Sequence, residues 1–438
     1  MAAAPAGPAV SFAVTKTDGG ATAARAGTLT TRHGAVETPA ALVCTRGGLP
    51  RHLSVDTLRG LGPGPGAVRG CHVCGLDLLT RADQGAHIAA AGGLHGYTGL
   101  DAEVLVVDPR DPVSHGLGWK QQGAAAVRVH TALGNLKLTP ERYTALLAAM
   151  RPDLFVCLAS DCDGAEARHI NDKKKARDRV AALTTASLAL AGGSPLAGAA
   201  GALVPVHGGR DGEMRAECAA WAEEVAHGGD FSGLVVGFAL AGFGLGEDPA
   251  DRAGLIARAV APLSAAKLRY LVGLEGPMQV LDAIAGGVDL FDAEYAATLS
   301  EHGYAAVWPL EPPAGGAGAG QGGAAGPEKK RRKVSEREAA ERTVSAADGA
   351  DGLKINLWAA AHRRSGEPLV PGCGCYTCTH HSRAYVHHLL AVGEMNAEVL
   401  LEIHNTYHYM AFFAAVRAAI AGGRFGEYWE WFRELATA

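Results

Sequence analysis

Between residues 100 and 310, short apolar runs alternate with stretches whose apolar positions return every three or four residues. VLVVD (104–108) comes before a helical stretch opening after Pro140, ERYTALLAAM. DLFVCLAS (153–160) precedes ARDRVAALTTASLALA, and ALVPVHGG (202–209) precedes MRAECAAWAEEVAHGG. GLVVGFAL (233–240) leads into DPADRAGLIARAVAPL, and LRYLVGL (268–274) into PMQVLDAIAGG, before VDLFDAEY (288–295) closes the series. Apolar runs this short are strands buried on both faces, and a helix after each implies parallel βα units. So many repeats predict an α/β fold of the (β/α)8 TIM type. An open doubly wound sheet fits less well, because no glycine-rich dinucleotide fingerprint follows the first strand. Residues 11–45 read as strand, turn, strand ahead of this series.

The pattern breaks at 312–350, which is Gly/Ala-rich and then charged, without apolar periodicity. Such a segment buries too little apolar surface to offset its ordering entropy, so a disordered insertion is expected there. The expected division is therefore a barrel over 1–311, the insertion over 312–350, and a metal-binding subdomain with closing barrel helices over 351–438. The basic run KKRRK (329–333) resembles a nuclear-import signal, but a solvated charged insert is the preferred reading.

Composition narrows the function classes. Lysine and arginine total 40 against 45 acidic residues, a net charge of −5, so bulk charge gives no argument for nucleic-acid binding. The start MAAAPAGPAV lacks a basic n-region, and no charge-free run of about 18 apolar residues occurs, so neither a secretory signal nor a membrane span is expected. A reducing, cytoplasmic compartment follows, where clustered cysteines are more often metal ligands than disulfides.

The cysteines include one such cluster. Cys373, Cys375 and Cys378 are followed, after twenty-five residues, by His404. Three thiolates and an imidazole suit one tetrahedral Zn²⁺, and four protein ligands leave no open position for water. The site is thus expected to be structural. Gly372 and Gly374 give the tight backbone turn it needs. His380, His381, His387, His388 and His408 are read as helix or surface residues. The isolated pair Cys71 and Cys74 is read as ordinary core cysteines, because a second half is missing.

The cysteine–histidine spacing and its flank SRAYVHHLLAVGEMNAEVLLEIHNTYHY (382–409) resemble the zinc subdomain of the tRNA-guanine transglycosylases. The opening strands, with Gly27, Gly34, Thr38 and Pro39, are similar to that family's, as are GGLHGYTG (92–99), YLVGLEGP (270–277) and GVDLFD (287–292). The resemblance spans nearly the whole chain outside 312–350. It implies a (β/α)8 barrel with a zinc-binding insertion, and base exchange at C1′ of a tRNA anticodon nucleotide. Retention at C1′ takes two displacements, hence an aspartate nucleophile and a second carboxylate as acid/base.

The resemblance places the nucleophile on Asp292, but the family's Pro-Thr-Arg tract after it is replaced by Ala293-Glu-Tyr-Ala. An ungapped match puts Val107 at the acid/base position, with Asp108 one step away and Pro109-Arg-Asp-Pro112 following. Leu158-Ala-Ser-Asp161-Cys162 replaces a base-reading block, and Val206-His207-Gly208 replaces a base-contacting glutamine pair. Ala241 to Glu247 keeps the family's shape. The rewritten pocket implies a non-catalytic subunit of a heterodimeric queuine tRNA-ribosyltransferase. Asp292 would then be a relic. The partner would be a homologous catalytic subunit docked on the zinc subdomain and neighbouring barrel helices, with tRNA held through the complex. Animal relatives in the family can sit on an organelle surface, which adds the outer face of the mitochondrion to the expected locations. Two alternatives remain open: a self-sufficient transglycosylase using Asp292, and a zinc-stabilised RNA-binding module that touches phosphates through Lys173, Lys174, Lys175, Arg177 and Arg179.

Overall fold

A computed structural model describes residues 9–20, 22–62, 68–79, 84–110, 120–121, 125–131, 134–159, 170–243, 247–312 and 350–437. Asp161, Cys162, the basic run 329–333 and all but the ends of the 312–350 insertion lie outside the described residues.

Eight parallel strands close on themselves. We label them β1 (Ala40–Arg46), β2 (Gly70–Cys74), β3 (Val104–Asp108), β4 (Leu154–Val156), β5 (Gly201–Val206), β6 (Val235–Leu240), β7 (Leu268–Leu271) and β8 (Leu290–Asp292). Each pairs with the next, and β8 pairs back to β1 through Leu290–Ala40, Phe291–Ala41 and Asp292–Leu42. The last six are the apolar runs seen in the sequence. β1 belongs to the N-terminal strand pattern, while β2 is the cysteine pair itself: Cys71 and Cys74 are both buried within a barrel strand. A run of five residues, GCHVC, carries too little apolar signal to mark a strand without its neighbours.

Side chains alternate between the two faces of each strand. Leu42, Val104, Val106, Leu154, Val156, Leu203, Leu268, Tyr270 and Leu290 fill the barrel interior. Val43, Val73, Leu105, Val107, Phe155, Val204, Leu271 and Phe291 face the surrounding helices. Local signals set those helices. In Pro140–Met150, Thr139 caps the Arg142 amide and proline occupies the first turn. In Gly212–His227, Asp211 accepts from the amides of Glu213 and Met214.

A three-stranded antiparallel sheet (Ser11–Thr17, Arg25–Thr31, Gly34–Thr38) plugs the N-terminal end of the barrel, packing Leu29 and Val36 under the interior residues. The Arg25 guanidinium fastens it, donating to both Asp289 carboxylate oxygens at 2.8 and 2.6 Å. Three short antiparallel strands between β3 and β4 (Lys120–Gln121, Val127–Thr131, Gly134–Leu138) have no counterpart in the sequence pattern.

After β8 the chain forms helix Glu294–Glu301. From residue 350 it builds a second, smaller core of Leu357, Leu369, Val386, Leu390 and Leu401. The 26-residue helix Asn396–Ala421 joins this core to the barrel: its Phe412, Phe413 and Val416 enter the barrel's outer layer, and Arg417 donates to the Pro39 carbonyl at 2.8 Å.

Candidate metal centre and barrel mouth

Gly372 sits at φ 78°, the left-handed region that favours glycine, and turns the chain into the cysteine loop. Gly374 serves differently: a Cβ there would meet the Tyr407 hydroxyl at 3.0 Å. Cys375 caps helix Tyr376–His380, its Sγ accepting from the Cys378 amide at 3.3 Å, so the two thiols lie one helical turn apart on the same side. His404 arrives from the long helix. Its Nδ1 lies 3.8, 3.5 and 3.4 Å from the sulfurs of Cys373, Cys375 and Cys378. A tetrahedral ion with bonds of about 2.3 Å to sulfur and 2.0–2.1 Å to nitrogen would hold S and N about 3.6 Å apart. The four groups therefore already have ligand spacing, and they can hold a metal ion. His404 Nε2 donates to the Ala306 carbonyl at 2.8 Å, which fixes the ring and leaves Nδ1 for the ion.

The electrostatics agree. Hydrogen bonding from Cys373 and Cys375 holds the Cys378 thiol far below its ordinary value. Burial lowers the His404 imidazole, but its contacts with Cys373 and Cys378 outweigh this and raise it to about 9. The neighbouring histidines are engaged elsewhere. His408 Nε2 faces the Trp308 carbonyl at 2.9 Å, His387 Nδ1 the Leu357 carbonyl at 2.8 Å, and His381 stacks on Tyr385 with centroids 4.9 Å apart.

Next to His404, Asn405 ties this centre to the barrel. Its Nδ2 donates to Ser300 Oγ at 3.0 Å and to the Tyr304 carbonyl at 2.9 Å, and its Oδ1 accepts from the Ala306 amide at 2.9 Å. Outside the centre lies an exposed aromatic strip. Tyr376 (54% exposed) stacks on His380, and Tyr385 (41%) stacks on His381; Met395 (72%) is bare beyond the end of helix Arg383–Val392.

The second candidate region is the C-terminal mouth of the barrel, where this architecture places chemistry. Strand alternation turns Asp108, not Val107, to the inner face: Val107 packs in the outer layer between inward-facing Val106 and Asp108. The ungapped match puts Val107 at that position with Asp108 one step away, because an alignment cannot see which face a position takes. Asp292 faces inward by the same alternation after Leu290. Two carboxylates thus reach the mouth. Each is tied down. Asp108 Oδ1 accepts from the Arg110 amide at 2.9 Å and Arg110 Nε at 3.0 Å, and its Oδ2 accepts from Arg110 Nη2 at 3.1 Å. Asp292 Oδ2 accepts from the Gly273 amide at 2.6 Å and Oδ1 from the Glu294 amide at 2.9 Å.

Among the other residues at this end and inside the barrel, Arg215, His72 and Tyr270 carry no signal in the sequence. Arg215, in the first turn of helix Gly212–His227, is fully buried; it donates to the carbonyls of Gly209 (2.7 Å), Ala241 (2.9 Å) and Gly242 (2.9 Å) and stacks 3.8 Å above the Phe243 ring. It clamps together the loops that follow β5 and β6. His207, at the position of the family's glutamine pair, is pushed well below its ordinary value by burial and the positive charges of Arg110 and Arg215, and so is neutral. His72 Nδ1 and Tyr270 Oη lie 2.6 Å apart inside the barrel. Glu294 pairs with Arg51 at 2.8 Å, yet burial raises its carboxyl to about 7. The basic stretch is partly neutralised: Lys173 pairs with Asp211, and Arg177 with Glu217 at 2.8 Å.

A family profile described as queuine tRNA-ribosyltransferase matches residues 18–437. The chain is 31% identical over 419 residues to a queuine tRNA-ribosyltransferase accessory subunit 2 of Xenopus tropicalis, covering 92% of this chain and 94% of that one. It is 28% identical over 398 residues to the protein of the same description in Homo sapiens, covering 90% and 91%. Against a queuine tRNA-ribosyltransferase of the bacterium Azoarcus it is 27% identical, covering 94% and 96%. With its closed eight-stranded barrel, its Cys3His centre and this match over nearly its full length, the chain belongs to the queuine tRNA-ribosyltransferase family.

Proposed function

We propose that this chain is the non-catalytic subunit of a heterodimeric queuine tRNA-ribosyltransferase, supporting exchange of guanine for queuine at the tRNA wobble position. The observation that carries this reading is the state of the two mouth carboxylates: Asp108 is neutralised by Arg110, and Asp292 is held by two backbone amides. A nucleophile and an acid/base must be free to change bonding partners during the reaction. The accessory-subunit description of its animal relatives points the same way.

In this reading Cys373, Cys375, Cys378 and His404 bind one structural Zn²⁺, and the division into 1–311, 312–350 and 351–438 describes barrel, insertion and zinc subdomain. The catalytic partner docks on the zinc subdomain, where Tyr376, Tyr385 and Met395 supply an aromatic and apolar anchor. tRNA is bound by the complex. The complex acts in the cytoplasm, with the mitochondrial outer surface as a further location; no described helix is long and apolar enough to cross a membrane.

One observation favours a second reading. Asp108 and Asp292 both face the mouth, as a two-carboxylate mechanism needs, so the chain would be a transglycosylase by itself. The deciding experiment measures labelled queuine or guanine incorporation into tRNA by this chain alone, by a catalytic subunit alone, and by both together. Incorporation only with both supports the accessory role. Incorporation by this chain alone, abolished in Asp292→Ala, replaces it with the second reading.

A further inference from the structure

At the opposite end of the barrel from Asp108 and Asp292, three groups with no part in the proposed reaction converge. His33 lies in the turn between strands Arg25–Thr31 and Gly34–Thr38, His95 lies in helix Leu94–Thr98, and Asp153 lies just before β4. His33 Nδ1 is 2.7 Å from Asp153 Oδ1. His95 Nε2 is 3.2 Å from Asp153 Oδ2 and 3.1 Å from the Glu103 carbonyl oxygen. The imidazoles stack with centroids 3.5 Å apart. Asp153 and His95 are buried, whereas the His33 side chain keeps 21% of its surface exposed and leaves a way in from solvent.

Hydrogen bonding alone describes this cluster incompletely. An imidazole N–H points at one acceptor, yet His95 Nε2 stands almost equally far from a carboxylate oxygen and a carbonyl oxygen. An octahedral ion with bonds of about 2.1 Å separates neighbouring ligands by about 3.0 Å, and the three spacings here, 2.7, 3.1 and 3.2 Å, bracket that value. The neighbouring charges leave room for a cation. The Glu103 carboxylate is turned away to Arg59 Nε at 2.8 Å, and the Arg32 guanidinium stays 3.9 Å from Asp153 on a side chain 37% exposed.

We propose that His33, His95, Asp153 and the Glu103 carbonyl form a second metal site, for a divalent first-row transition ion, separate from the Cys3His centre. Two imidazoles and two oxygens are borderline-to-hard ligands, so this site takes such an ion without the thiolate affinity of the first. Its ion fastens the turn of the N-terminal sheet to the barrel floor.

The test uses the full chain, stripped with chelator and titrated with Co²⁺. Wild type should take up two equivalents: one with the thiolate-to-cobalt charge-transfer absorption of the Cys3His centre, and a weaker one without it. His33→Ala and His33→Gln should each keep the first equivalent with its absorption and lose the second. Glutamine can still donate to Asp153, so it separates an ion from a simple hydrogen bond. Melting temperature should rise on addition of the second equivalent in wild type and stay unchanged in both variants. A single equivalent in wild type, or equal cobalt content in all three proteins, overturns the assignment.

Discussion

Asp292→Ala separates a structural carboxylate from a catalytic one. In wild type Asp292 is 5% exposed and accepts from the Gly273 amide at 2.6 Å and the Glu294 amide at 2.9 Å. Truncation leaves both amides without that acceptor, and a buried donor left unsatisfied costs about 1–3 kcal/mol. One effect opposes this, because the Asp292 charge raises the carboxyl of neighbouring Glu294, and its removal relieves that repulsion. The net loss should be about 2–4 kcal/mol. With an unfolding entropy of about 2.1 cal/mol/K per residue, a chain of 438 residues loses roughly 1 °C of melting temperature per kcal/mol, so a drop of about 2–4 °C is expected. Asp292→Asn keeps an acceptor and should lose about half as much. Queuine incorporation by the complex with a catalytic subunit, assayed below the melting range, should stay within about twofold of wild type. Two results would refute the reasoning: a thousandfold fall in incorporation with an unchanged melting curve, or a covalent RNA adduct on wild type that the variant cannot form.

Further outcomes follow from the same geometry. His404→Ala should drop the bound metal below one equivalent by elemental analysis and abolish complex formation on size exclusion, with any loss of incorporation following from that. Tyr385→Ala, at an exposed stacked ring, should weaken partner binding about tenfold by titration calorimetry while shifting the stability of the isolated chain by under about 0.5 kcal/mol. Burial raises Glu294 to about 7, so the folded state holds a proton that the unfolded state has released between about pH 4.5 and 7. Its stabilising effect is therefore complete below that window and disappears as pH rises through about 7. Urea midpoints should fall across the window in wild type and fall less in Glu294→Gln, by up to roughly 3 kcal/mol between the two ends. Glu402, also raised to about 7 by burial, retains part of the slope.

Features that depend on local spacing were legible along the chain. Six barrel strands stood out because a strand buried on both faces reads as an unbroken apolar run, and VLVVD matches its strand residue for residue. The Cys3His set was legible because three of its groups lie within six residues, and the fourth lies in a helix whose flank resembles a known family. Tertiary structure alone decided what depends on facing and partnership. GCHVC became a strand only because β1 and β3 flank it and pair with its backbone. Asp108 became a mouth residue through pleat alternation, and it was neutralised by an arginine two positions away whose guanidinium could have pointed to solvent. Arg215 sits in an ordinary helical pattern, yet it caps three carbonyls from two separate loops. His33, His95 and Asp153 span 120 residues and meet only when the N-terminal sheet closes the barrel floor. Sequence carries the periodicity that selects elements, whereas a side chain's chemistry depends on burial and on neighbours brought in by closure of the barrel.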